Sequence, residues 1–166
     1  HYIYPNGDEV SCVDIVYVCR KYHGTLSCQP GEVDELKFFS LNEIPENMVF
    51  CLENVFEEVP AMLTEIVRQV NDPRIRMCLD VGHVNAYSPI PVMNWLEEWA
   101  PYLSHFHIHN NDGSRDQHNP LTDGRIPMKE LFQQIDERCP NATVTLELMK
   151  AESSLQWMKE ERLWNF

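Results

Sequence analysis

The sequence predicts an α/β fold, made of four βα units with parallel strands and preceded by a small antiparallel β segment. Three observations carry this reading. From about residue 48, short apolar runs alternate with longer stretches of helical periodicity. Each of the four apolar runs carries a carboxylate or a histidine at or next to its last position. Before residue 48, strand-like runs are separated by turn residues instead of helices.

In the first segment, Val13–Val18 is β-branched and aromatic, Lys21–Gly24 reads as a turn, Thr25–Cys28 as a return strand, and Leu36–Ser40 as a third strand. Asn42–Pro45 reads as a short helical turn. After Met48 the units follow in order. Val49–Glu53 is a strand, and in Pro60–Val70 the residues Met62, Leu63, Ile66 and Val70 recur at helical spacing. Ile75–Asp80 is the second strand, and Pro91–Leu103 contains a helix bearing Trp95, Leu96 and Trp99. Leu103–His109 is the third strand, followed by a helix at Met128–Arg138. Thr143–Leu148 is the fourth, and Ala151–Trp164 closes as a helix. Strands that each lead into a helix call for parallel pairing through right-handed crossovers.

Composition narrows the function. Lys plus Arg number 13 and Asp plus Glu 26, a formal net charge of −13. Nucleic-acid binding rests on basic residues that displace counterions, so this balance argues against such a partner. No apolar run reaches the roughly 18–20 residues of a membrane span. The six cysteines form no C-x-x-C pair and several lie in strand-like runs. They read as buried free thiols of a cytoplasmic protein.

The chemistry concentrates at strand ends, where parallel barrels carry their sites. Glu53 ends Val-Phe-Cys-Leu-Glu, Asp80 ends Ile-Arg-Met-Cys-Leu-Asp, and Glu147 ends Thr-Val-Thr-Leu-Glu. His105, His107 and His109 alternate along one strand, so they share a face. Asp80 lies 27 residues after Glu53, and His107 a further 27 after Asp80, one βα repeat each. Four strands that deliver Glu53, Asp80, His107 and Glu147 to one end point to a shared metal. Two Glu, one Asp and one His make an oxygen-rich set that suits Mn²⁺, Mg²⁺ or Co²⁺ and accepts Zn²⁺. His83, Asp116 and His118 form a second set, for another ion or for substrate. Arg115, in a polar loop, suits an anionic or hydroxylated group through its bidentate donors. His109 is a further candidate for substrate contact.

These residues carry a resemblance. Asp80-Val81-Gly82-His83, His107-Ile108-His109-Asn110-Asn111-Asp112-Gly113, Asp116-Gln117-His118 and Thr145-Leu146-Glu147 resemble the sugar phosphate isomerase/epimerase superfamily. Its members are xylose-isomerase-like TIM barrels and include endonuclease IV. The resemblance covers residues 49–160 and implies half a TIM barrel, with Glu53, Asp80, His107 and Glu147 as primary ligands. It also puts His83, Asp116 and His118 where endonuclease IV holds an additional zinc. The usual Gly-x-Gly turn after Asp-x-His is replaced by Leu121-Thr122-Asp123-Gly124. Separately, Tyr4–Val10, Val13–Val18 and Glu35–Pro45 resemble the C-terminal part of Nudix hydrolases without the Nudix box. The expected domains are therefore a Nudix-like β segment at 1–47 and a half barrel at 48–166.

The expected function is a metal-dependent isomerase or epimerase of a sugar or sugar phosphate, with Glu53 and Glu147 moving the proton. The alternatives are phosphodiester hydrolysis in the manner of endonuclease IV, or an inactive truncated or fused remnant. Half a barrel leaves two strand edges open, and open edges invite pairing. A homodimer is the expected assembly.

Overall fold

The computed structural model describes residues 48–163 continuously. It also describes the backbone of Tyr2–Ile3 and Glu9–Val10, and residues 23, 24, 27, 28 and 43. The chain divides into two compact units, His1–Phe50 and Cys51–Phe166. In the first unit, β1 (Tyr2–Ile3) and β2 (Glu9–Val10) pair antiparallel, Tyr2 opposite Val10. Gly24 has φ +100°, as a turn needs. Ser27 and Cys28 lie outside any strand. The expected strands at Val13–Val18 and Leu36–Ser40, and the Nudix-like residues other than Glu9, Val10 and Glu43, lie outside the described residues.

The rest follows the expected alternation: β3 (Phe50–Glu53), α1 (Ala61–Val70), β4 (Ile75–Asp80), α2 (Val81–Tyr87), α3 (Val92–Trp99), β5 (Leu103–Ile108), α4 (Met128–Arg138), β6 (Thr143–Leu146) and α5 (Glu152–Glu161). The four strands form one parallel sheet in sequence order, β3-β4-β5-β6. Consecutive parallel neighbours are what right-handed βα crossovers produce.

Helix periodicity explains which side of each helix meets the sheet. In α4, Met128, Leu131, Phe132 and Ile135 are all buried, the i, i+3, i+4, i+7 stripe. In α3, Trp95 and Trp99 are fully buried and meet edge to face, centroids 4.9 Å apart. Their indole N–H groups donate to Ser88 Oγ and Thr64 Oγ1, both at 3.0 Å. In α1 the buried pair is Leu63 and Val67, while Met62, Ile66 and Val70 are exposed. The 62-66-70 row sits about 100° round the helix from the 63-67 row, so only one of them faces the sheet.

Strand β4 is buried on both faces. Met77 and Leu79 join the apolar core beside Phe106 and Ile108 of β5, while the alternate residues Cys78 and Asp80 face the other way. Each large apolar side chain so buried contributes about 1.5–3 kcal/mol. The outer face therefore fixes the strands, and with them the carboxylates and imidazoles at their ends.

Candidate metal centre

Glu53 ends β3, Asp80 ends β4, His107 lies near the end of β5, and Glu147 follows β6. The structure brings all four together. His107 Nδ1 is 3.1 Å from Glu53 Oε1, 3.2 Å from Glu147 Oε1 and 4.0 Å from Asp80 Oδ2. Ligand atoms of Glu53, Asp80 and His107 lie within 4.8 Å of one another. Asp80 has no exposure, and its Oδ2 has no hydrogen-bond partner. An orphaned buried carboxylate oxygen is costly, and a cation removes the cost.

The charge balance agrees. Burial lowers the pKa of His107, but Glu53, Glu147 and Asp80 outweigh it and raise it. Burial likewise pushes Asp80 up, and the imidazoles of His109 and His83 with the His83 backbone N–H bring it below its ordinary value. Three carboxylates around one imidazole suit a divalent ion by charge and by donor type.

The second set also converges. His83 Nδ1 lies 2.8 Å from the Asn54 carbonyl, and His118 Nδ1 lies 2.8 Å from the Glu147 carbonyl. Carbonyls only accept, so both Nδ1 atoms carry hydrogen. The neutral rings then present Nε2 lone pairs. Both face Asp116 Oδ2, at 3.4 and 3.0 Å. Lone pairs against a carboxylate repel unless a ring is protonated or a cation stands between them. Burial lowers the pKa of His118, but the Glu147 carbonyl and Asp116 raise it overall. His118 also holds φ at +51°, a conformation side chains rarely adopt and one associated with functional sites.

His109 belongs to this set too. Expected from sequence to meet substrate, it is instead fully buried. Its Nε2 lies 3.2 Å from Asp80 Oδ1 and 3.4 Å from Asp116 Oδ1, and neither ring nitrogen has a hydrogen-bond partner. The ring stacks on His118, centroids 4.0 Å apart. Arg115 is exposed on the loop beside Asp116.

Sequence reasoning missed the residues that hold these groups. Asn54 is 2% exposed; its amide donates to the Asp80 carbonyl and accepts from the Asp80 N–H, both at 2.9 Å. Helix α2 begins directly at Asp80, whose Oδ1 caps it by accepting from the His83 N–H at 2.7 Å. The Asp-x-x-His spacing signals this cap. Asn110 binds the Leu121 carbonyl at 2.8 Å and accepts from the Ile126 N–H at 3.1 Å, which folds the loop after Asp116 onto β5. A Cβ on Gly124 would lie 2.1 Å from Asn110 Oδ1, so the single glycine of this loop is needed for that approach.

A family model described as xylose isomerase-like TIM barrel matches residues 16–164. The chain belongs to this family. The match begins inside the segment that the sequence pattern sets apart as a β unit. An uncharacterized protein of Methanocaldococcus jannaschii is 26% identical over 145 residues, 78% of this chain and 50% of that protein. A fructoselysine 3-epimerase of Escherichia coli O157:H7 is 32% identical over 97 residues, 57% of this chain and 32% of the epimerase. The chain therefore spans half or less of these relatives. A solved D-tagatose 3-epimerase-like protein superposes with a TM-score of 0.60 at 22% identity, covering 69% of this chain and 46% of that one. That likeness shows the fold.

Proposed function

We propose that this chain carries the metal-binding half of a sugar, or sugar phosphate, isomerase or epimerase. Glu53, Asp80, His107 and Glu147 would hold the divalent ion. The observation that carries the reading is the approach of Glu53 and Glu147 to His107 Nδ1 at 3.1 and 3.2 Å, from opposite edges of the sheet. Fructoselysine 3-epimerase among the relatives supports a sugar substrate. A divalent ion bound here supplies Lewis acidity that makes the C–H beside a sugar carbonyl acidic. Glu53 and Glu147 form the proton-transfer pair: one carboxylate removes the proton and the other returns one. Arg115 offers its guanidinium to a phosphate or hydroxyl of the substrate.

The Asp116, His83 and His118 constellation supports a second reading, phosphodiester hydrolysis in the manner of endonuclease IV. The net charge of −13 opposes it. Among the described residues β3 and β6 each have one strand neighbour, and these edges support a homodimer. Free thiols at Cys28, Cys78 and Cys139 fit a reducing, cytoplasmic setting. No helix among the described residues is long and apolar enough to cross a membrane.

The test combines binding with turnover. Mn²⁺ should raise the melting temperature, and Glu147→Gln should abolish that rise. Ketoses incubated with the Mn²⁺-loaded protein should take up deuterium from solvent, whereas an abasic-site oligonucleotide should stay intact. A full Mn²⁺ response in Glu147→Gln would remove Glu147 from the ligand set, and cleavage without deuterium uptake would favour the hydrolase. Light scattering after gel filtration checks the assembly, and a monomer contradicts the dimer.

A further inference from the structure

One layer below the rim, β4 and β5 carry a chemically different set. Cys78 precedes Asp80 by two residues and His105 precedes His107 by two, so alternation puts all four on one face. Cys78 and His105 are register partners. Their pairing depends on a shift after Met77, which pairs with Leu103, so that Ser104 is the extra residue. Such bulges are rare between parallel strands and gather beside active sites, where they re-aim a side chain. The Cys78 Sγ, a ring nitrogen of His105 and one of His107 all lie within 4.8 Å of one another.

We propose that Cys78, His105 and His107 form a second metal site, for a thiophilic divalent ion with Zn²⁺ foremost. A thiolate with two imidazoles is a soft set, unlike the oxygen-rich rim, and tetrahedral zinc takes this mixture. When the ion binds, the Cys78 S–H gives its proton to solvent and a sulfur–metal bond forms, with no change of oxidation state. Cys78 is 3% exposed. A bound ion supplies the positive charge that a buried thiolate needs. His105 is held by Thr143 Oγ1 at 2.6 Å and Thr145 Oγ1 at 3.0 Å. The nitrogen that takes the ion exchanges one hydroxyl for it, and the other hydroxyl keeps the ring oriented. Cys51, two residues before Glu53, lies in the same layer of β3 and offers a fourth donor. Because the deep and rim sets share His107, ions in the two compete for that ring.

Co²⁺ added as the only metal tests the site, since thiolate-bound Co²⁺ shows an intense near-ultraviolet charge-transfer band. The wild-type chain should show this band. Cys78→Ser should lose it while keeping the rise in melting temperature with Mn²⁺, a readout that separates this site from the rim. No band in the wild type, or a band that persists in Cys78→Ser, overturns the proposal. If circular dichroism shows that Cys78→Ser does not fold, the half-buried His105 decides. His105→Asn should weaken Co²⁺ binding, titrated at the band, by roughly tenfold or more, and an unchanged titration overturns the assignment.

Discussion

The two faces of β4 and β5 differ in what they leave unfinished. On one face Met77, Leu79, Phe106 and Ile108 have no exposure and pack into a continuous apolar cluster under α3 and α4. On the other, Asp80 Oδ2 and both ring nitrogens of His109 are buried with no hydrogen-bond partner. The same strands thus carry a closed face that stabilises and an open-ended face that asks for a ligand. Alternation along a strand lets one segment do both, and a buried polar group without a partner points to function more than to stability.

The largest expected effect falls on the closed face. Trp95→Ala should destabilise by about 3–5 kcal/mol, read by urea unfolding, and a loss well under that would mean α3 is not anchored by this indole. Next is Gly82→Ala in α2, which joins the two faces. Its Cβ would come within 1.8 Å of His109 Cε1, so overpacking should cost about 1–3 kcal/mol. The variant should also respond less to Mn²⁺, and an unperturbed melting curve and Mn²⁺ response would show that His109 has room to move.

On the open face, pH sets the effect. Burial lowers the pKa of His107, but Glu53, Glu147 and Asp80 raise it above its ordinary 6.5. In the metal-free chain this stabilisation is fully present below 6.5 and is lost as pH rises through the folded value. Mn²⁺ needs the unprotonated ring, so the metal-induced rise in melting temperature should grow with pH across that window. A rise that shrinks with pH would contradict His107 as a ligand. The smallest effect lies outside both faces. The Arg74 side chain and backbone N–H hold half-buried Asp72 at about 2. Its slight stabilisation is present above its ordinary 3.8 and lost as pH falls through about 2, so Asp72→Asn should differ from wild type at neutral pH and match it in strong acid.

Much of this was legible in the sequence for physical reasons. A strand that ends in a carboxylate, repeated at the spacing of a βα unit, leaves little choice about where the carboxylates meet, and Glu53, Asp80, His107 and Glu147 do converge. The α4 boundaries were also plain, because Met128, Leu131, Phe132 and Ile135 keep strict helical spacing. Helix α2 was missed: it is seven residues long, starts with no loop after β4, and holds Gly82, a poor helix former. The burial of His109 was hidden because alternation gives the face of a side chain but not its depth. Asn54 and Asn110 were hidden because their partners are backbone groups set by the fold, 26 residues away for Asn54 and 11 to 16 away for Asn110.

We propose that Glu53, Asp80, His107 and Glu147 share one divalent ion. Diffraction at the manganese edge from Mn²⁺-grown crystals of this chain decides the point. An anomalous peak within bonding distance of all four side chains is expected. A peak that one or more of the four do not reach, or none at the rim with Mn²⁺ in excess, would contradict it.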